Sequence, residues 1–86
     1  MASTDSPHLH IGSIEHLGRR YAVTCRVAFD GIEFVGRLWF AEEDWDDAGL
    51  PDRAAIPGRT REEVIYAALG LRLIYHFRLN RSGRKD

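Results

Sequence analysis

The sequence is poor in cysteine, and Cys25 is the one thiol among its 86 residues. A single thiol excludes a disulfide within the chain and any zinc finger built on cysteine ligands. Long apolar runs are missing as well, because the longest, residues 64–71, is far shorter than the ~20 residues that span a bilayer. The first residues contain no apolar segment typical of a signal peptide. We therefore expect a cytoplasmic protein that does not contact membranes.

An excess of charge of one sign is also absent. The chain has 12 Lys and Arg against 13 Asp and Glu, and a net charge of -1 excludes a polybasic protein. Its length predicts one domain, at residues 8–80, after a disordered lead-in at residues 1–7 and before a basic tail at residues 81–86. A domain this small has a thin core, so a metal ion or a second copy of the chain is the usual reinforcement where disulfides are missing.

The dipeptide Asp30-Gly31 is the clearest local signal. It is typical of the two-residue type I′ turn of a β-hairpin, and alternating apolar residues flank it on both sides. Such a turn would pair Phe29 with Ile32 and Cys25 with Gly36. It would put Val35 and Trp39 on the outer face. The inner face would carry Cys25 together with Tyr21, Val23, Val27, Phe34, Leu38 and Phe40.

An earlier strand, residues 9–15, is expected to pair with residues 19–25. With Gly18 as the left-handed residue of a three-residue loop, Leu9 and Ile11 face the core and Ile14 faces the other side. A loop of two or four residues would reverse this assignment.

Residues 42–59 have no periodic pattern and are rich in Asp, Glu, Pro and Gly, so we predict a long acidic connection with at most one helical turn. Thr60 and Glu63 then form a capping box that begins a helix continuing to Asn80. The predicted fold class is α+β: a three-stranded antiparallel β-meander in the order 1-2-3, an acidic loop, and one long C-terminal helix packed on the sheet.

The predicted helix is apolar on nearly every side, which is unusual for a helix that packs on one sheet. Either the acidic connection covers the remaining sides, or two copies of the chain pack together, and we prefer the homodimer. Exposed aromatic residues are the usual anchors of such interfaces. The predicted protein interface consists of Trp39, Trp45, Tyr66, Leu73 and Phe77.

The end of the chain is basic, with five cations and one acid between Arg72 and Asp86. Cations near a helix C-terminus favour the helix dipole without any ligand, but they also suit contacts to phosphates. Nucleic-acid binding is therefore the alternative function. Its predicted contacts are Arg72, Arg78, Arg81, Arg84 and Lys85.

No catalytic motif is present, and Cys25 is expected on the buried face of a strand, where a thiol is inert. His8 and His10 would share one strand face, with His16 on the same side and His76 as another possible ligand. An unaccompanied pair near the start of a chain is a poor metal motif, so we predict no metal, cofactor or catalytic residue. The predicted function is that of a small non-enzymatic accessory or binding protein, acting through a protein partner that the sequence does not identify and as a homodimer.

Overall fold

The computed structural model describes residues 8–46 and 49–82. The predicted lead-in at residues 1–7 and the tail residues 83–86 lie outside this part of the chain. The strands are β1 (Leu9–His16), β2 (Arg19–Phe29), β3 (Phe34–Glu42), β4 (Leu50–Pro51) and β5 (Ile56–Gly58), and the helices are α1 (Arg61–Gly70), a short 3₁₀ turn (Arg72–Ile74) and α2 (Tyr75–Arg81).

The strands form one antiparallel sheet in the order β1-β2-β3-β4, with β5 also paired to β3. The α+β class and the order of the first three strands are confirmed. The prediction of only three strands is wrong, because the connection after β3 returns twice to the free edge of that strand. The prediction of one long helix is wrong as well, since the helical segment divides near Leu71.

The β2–β3 hairpin has the predicted faces but not the predicted turn. Phe29 pairs with Phe34, so the loop contains the four residues 30–33 rather than Asp30-Gly31 alone. The Oδ1 atom of Asp30 accepts hydrogen bonds from the amides of Ile32 and Glu33, both at 2.9 Å, and these bonds close the longer loop. They also lower the pKa of Asp30. The pairing moves by two residues, which leaves the side chains of β2 and β3 on their predicted faces, while Ile32 moves from the predicted strand into the loop and is exposed.

The β1–β2 hairpin departs from the prediction in both its turn and its register. Leu17 and Gly18 both have positive φ, as a two-residue type I′ turn requires. Leu9 pairs with Cys25 as predicted, but the register shifts by one residue at Ile11, which forms a bulge. Beyond the bulge the two faces of β1 exchange. Ile14, predicted on the outer face, therefore packs against the core.

The connection at residues 42–59 contributes a buried acid. Asp52 directly follows β4, and its amide donates to the carbonyl of Leu38 at 2.8 Å. Its side chain is 2% exposed and forms an ion pair with Arg78 of α2. The guanidinium of Arg37 donates to the Asp52 carbonyl at 2.6 Å. The connection thereby joins the edge of the sheet to the second helix.

The helical segment begins as predicted and then breaks. The Thr60 hydroxyl accepts from the amide of Glu63 at 3.0 Å, while the Glu63 carboxylate accepts from the amide of Arg59, one residue before the cap. The α1 helix ends at Gly70, a residue that disfavours helix. The break lets Tyr75 enter the core, where its hydroxyl donates to the carbonyl of Ala68 at 2.9 Å.

The core lies between the helices and one face of the sheet. Tyr75 and Phe40 are the largest fully buried side chains, with their ring centroids 6.3 Å apart. Leu71, just after α1, is half-buried and packs against this core. The buried apolar residues are Val23, Cys25, Val27, Leu38, Phe40, Ile56, Val64, Ala68, Tyr75 and Leu79.

Candidate interaction surfaces

The helical segment carries several large apolar residues that the rest of the described chain leaves exposed. Tyr66 is 81% exposed, Leu73 95% and Phe77 57%. All three belong to the predicted interface. Leu69 and Ile74 are also exposed, and we call these five residues the outer helical surface. Neither β4 nor β5 packs over them, because both short strands pair with β3 in the plane of the sheet.

A groove of about 270 Å³ adjoins the outer helical surface. Ile65, Tyr66 and Leu69 of α1 line one side, and Leu9 of β1 lines the other. Charges of both signs stand at its rim, because Arg61 and Glu62 also border it. Apolar walls with a few polar groups at the rim are typical of binding surfaces on proteins.

Trp39, another predicted interface residue, lies on the opposite side of the sheet. It alternates with the buried residues Leu38 and Phe40 along β3 and is half-buried. The ring of His8 stands edge-on to it, with centroids 5.1 Å apart. Burial, together with the charge of Arg26, lowers the pKa of His8. Trp39 thus belongs to a small aromatic cluster on the outer sheet face and cannot act in one interface patch with Tyr66.

Trp45 occupies a third location, after the end of β3. Its ring meets Tyr21 edge-on at 6.3 Å between centroids, and it remains partly exposed. A shallow cavity of about 530 Å³ lies beside it, lined by Asp44, Asp46, Gly49 and Leu50. The predicted interface residues are therefore divided: Trp39 and Trp45 lie on two other surfaces. Only Tyr66, Leu73 and Phe77 belong to the helical segment.

The predicted nucleic-acid contacts are not equivalent. Arg78 is held in its ion pair with Asp52, and its side chain is only 15% exposed. Arg72 is exposed, while the Arg81 guanidinium lies over the ring of Phe77 at 5.3 Å from its centroid. Arg84 and Lys85 are outside the described residues. The structure therefore removes one cation of the predicted set from contact with a ligand.

Burial shifts the pKa of two titratable groups in the core. Burial raises the pKa of the Cys25 thiol, so the neutral and unreactive form is favoured. Burial also raises the pKa of Tyr75, whose hydroxyl is already bonded to Ala68. Within residues 8–46 and 49–82, no group of three or more His, Cys, Asp or Glu residues could hold a metal ion.

Two features of these surfaces were not predicted from the sequence. The pairing of Asp52 with Arg78 joins residues 26 positions apart, and one acid among many gave no signal of burial. The groove needs Leu9 beside α1, which depends on how the helix crosses the sheet.

In the described part of the chain, no helix is long and apolar enough to cross a membrane.

Comparison with known proteins finds no match to this chain among family models, curated proteins or solved structures.

Proposed function

We propose that the protein is a small non-enzymatic binding protein that acts through self-association, with two copies packed together through their outer helical surfaces. One observation carries the proposal: Tyr66, Leu73 and Phe77 of the helical segment are each more than half exposed. Exposed apolar side chains grouped on one side of a domain mark interaction sites. Each large apolar side chain that passes from water into an interface contributes about 1.5–3 kcal/mol before the costs of association.

A second copy suits this surface because the helical segment presents both exposed apolar side chains and an apolar groove. Leu73 and Phe77 project into solvent, and the groove beside Leu69 is bordered by apolar side chains of α1 and β1. In a two-fold symmetric dimer, the same patch of each copy must be complementary to itself. A patch with both a projection and a recess meets that requirement, since each copy supplies what the other needs.

Charge favours the same occupant. The first turn of α1 carries the acids Glu62 and Glu63 beside Arg61, while further exposed cations follow later in the helical segment at Arg72 and Arg81. An antiparallel arrangement of two copies would bring the acids of one towards the cations of its partner. A partner of a single charge would instead face repulsion from one of the two sets.

The test is the association state of wild type and two matched variants. Sedimentation velocity should show a monomer–dimer equilibrium between about 1 and 100 µM, the range expected of a modest interface. Leu73→Glu should weaken dimerisation at least about tenfold, because it places a charge in the apolar interface. Ile32→Glu is the control, since Ile32 is 90% exposed but lies in the β2–β3 loop. It should dimerise as wild type does.

Circular dichroism of all three proteins shows whether the fold is kept. A wild type that remains monomeric throughout this concentration range would refute the proposal, and so would a folded Leu73→Glu protein that dimerises normally. Trp39→Ala and Trp45→Ala should leave the equilibrium unchanged, because those residues lie on other surfaces.

Nucleic-acid binding is the alternative function. A further protein partner and a cytoplasmic location also stay predictions. With Arg78 committed to Asp52, at most four of the five predicted cations can neutralise phosphates. The log–log salt dependence of affinity should then be no steeper than about -3.6 per chain. Gel-shift titrations at two salt concentrations, with Arg72→Gln and Arg81→Gln beside wild type, would measure it.

A further inference from the structure

Two histidines from distant parts of the chain meet at one end of the molecule. His16 is the last residue of β1, and His76 lies in the first turn of α2. Their Nδ1 atoms are 3.2 Å apart although 60 positions separate the residues. The ring centroids lie 5.4 Å apart, with the ring planes inclined by 45°. Both side chains remain accessible, His76 more than His16.

The bulge at Ile11 explains why His16 takes part. Regular alternation from His8 would put His16 on the outer sheet face with His8 and His10, as the sequence predicts. The extra residue in β1 exchanges the faces, so His16 turns towards the helices. The predicted histidine group is therefore divided, and His8 instead contacts Trp39 and Thr24.

We propose that His16 and His76 form a binding site for a divalent transition-metal ion that favours tetrahedral coordination, such as Zn²⁺. Co²⁺ can replace Zn²⁺ in such a site and gives a visible spectrum. Two imidazole nitrogens at the usual zinc bond length of about 2.0–2.1 Å, separated by a tetrahedral angle, lie about 3.3–3.4 Å apart. The Nδ1 atoms already stand within 0.2 Å of that spacing.

Loading the site requires little movement. Between two neutral rings, a hydrogen bond at this Nδ1–Nδ1 distance requires one ring to donate its Nδ1–H to the Nδ1 lone pair of the other. For metal binding, the donor ring takes the tautomer protonated at Nε2, so that both Nδ1 lone pairs face the ion and no net proton leaves the neutral pair. A tetrahedral angle at the ion brings the ring centroids to about 5.1 Å, a small inward tilt from the observed 5.4 Å.

The site is an open one. No third metal-ligating side chain of the described residues completes it, so water occupies the remaining positions. Two protein ligands give much weaker binding than the four of a structural zinc site, and we expect a dissociation constant on the order of tens of micromolar. The ion would link β1 directly to α2. Its physical effect is to hold the second helix against the sheet.

The experiment uses the full chain without an affinity tag, titrated with ZnCl₂ and, separately, with CoCl₂. Isothermal calorimetry should show one site per chain, and thermal unfolding should shift to higher temperature as Zn²⁺ exceeds the dissociation constant. Bound Co²⁺ should give the visible absorption of a tetrahedral nitrogen–oxygen site. His16→Gln and His76→Gln should each weaken binding at least about tenfold, because either change removes one of two ligands.

The matched control is the double variant His8→Gln/His10→Gln, which removes the other histidines and should leave binding unchanged. A Zn²⁺ affinity that falls in this control but survives His76→Gln would overturn the proposal, as would the absence of binding by wild type. His16 and His76 are both accessible, so their Gln variants are expected to fold. Circular dichroism of each variant tests this expectation. The result is independent of self-association when it is measured on a Tyr66→Glu monomer, whose added carboxylate lies in α1, away from His76 in the sequence.

Discussion

Tyr75 and Phe77 are aromatic residues two positions apart in α2, yet they have opposite environments. Tyr75 is 1% exposed, contacts the ring of Phe40 and donates its hydroxyl to Ala68. Phe77 is more than half exposed, and the Arg81 guanidinium lies over its ring. The same contrast runs through the helical layer, because Val64 and Ala68 are buried while Tyr66 is not.

The contrast shows that apolar character alone does not decide which side of a helix becomes core. The inner side is selected by contacts with the sheet and by the ion pair between Arg78 and Asp52, which holds α2 at one rotation. The outer side keeps apolar residues that the monomer does not use. These unused residues are the basis for proposing a second copy. The following predictions test the two sides against each other.

The largest effect is expected from truncating the inner aromatic residue of α2. Tyr75→Ala should lower the free energy of unfolding by about 3–5 kcal/mol, because it leaves a cavity in the core. Phe77→Ala should cost less than about 1 kcal/mol in the monomer, since the ring is already largely in water. Urea denaturation of both variants in the Leu73→Glu background separates folding from association. Equal losses at the two positions would mean that the inner and outer sides are assigned incorrectly.

The next largest effect is expected at the ion pair that orients α2. Asp52→Ala should destabilise the protein by about 3 kcal/mol, because it leaves the Arg78 guanidinium without its partner in a mostly buried site. Asp46→Ala is the control, as it removes an exposed acid from the same connection. Chemical denaturation should show little change there. If Asp52→Ala is as stable as this control, the ion pair does not hold the helix.

A smaller effect is expected where α1 touches the sheet most closely. A Cβ atom at Gly36 would overlap the Val64 side chain and lie 3.3 Å from Cys25 Sγ. Gly36→Ala should therefore cost about 1–3 kcal/mol. Adding Val64→Ala should recover part of this loss, which a double-mutant cycle measures.

Gly70→Ala provides the matched control for Gly36→Ala. Apart from its chain neighbours and the backbone of its own helix, no atom lies within 4 Å of the added Cβ. The change should therefore be neutral or stabilise the helix by up to about 1 kcal/mol. A loss at Gly70 as large as that at Gly36 would contradict the close approach of α1 to the sheet.

The smallest effect concerns the outer face of the sheet. Burial beside Trp39 and the charge of Arg26 lower the pKa of His8 below 6.5, so the folded protein binds this proton less readily than the unfolded chain. The stability that neutral His8 contributes is complete above pH 6.5 and declines as the pH falls towards the lowered pKa. NMR titration of the His8 ring should show the lowered pKa in wild type and a higher one in Trp39→Ala. An identical pKa in the two proteins would exclude burial as the cause.

Alternation along β2 and β3 predicted the faces of the sheet but not the pairing of its strands. Val23, Cys25 and Val27 are buried as expected, because a change of register by two residues leaves the inward positions unchanged. The turn itself depended on a side chain. The carboxylate of Asp30 binds two backbone amides and thereby selects four loop residues over two.

Of the candidate interaction surfaces, the residue types could be predicted and their grouping could not. Tyr66, Leu73 and Phe77 remained on one layer, whereas Trp39 and Trp45 went to other surfaces. A period of 3.6 residues also assumes one uninterrupted helix. The break near Leu71 changes which residues after it face the sheet, and the sequence marks that break only by Gly70.

The sequence by itself determined the α+β class, the two long hairpin strands with their buried face, and the start of α1 at Thr60, because alternation and capping act over a few neighbouring residues. The tertiary structure alone decided the strands added by residues 50–58, the burial of Asp52 and the approach of His16 to His76. These features depend on contacts between residues far apart in the chain, whose free energy comes from excluding water and pairing charge within the assembled fold. No local pattern encodes such contacts.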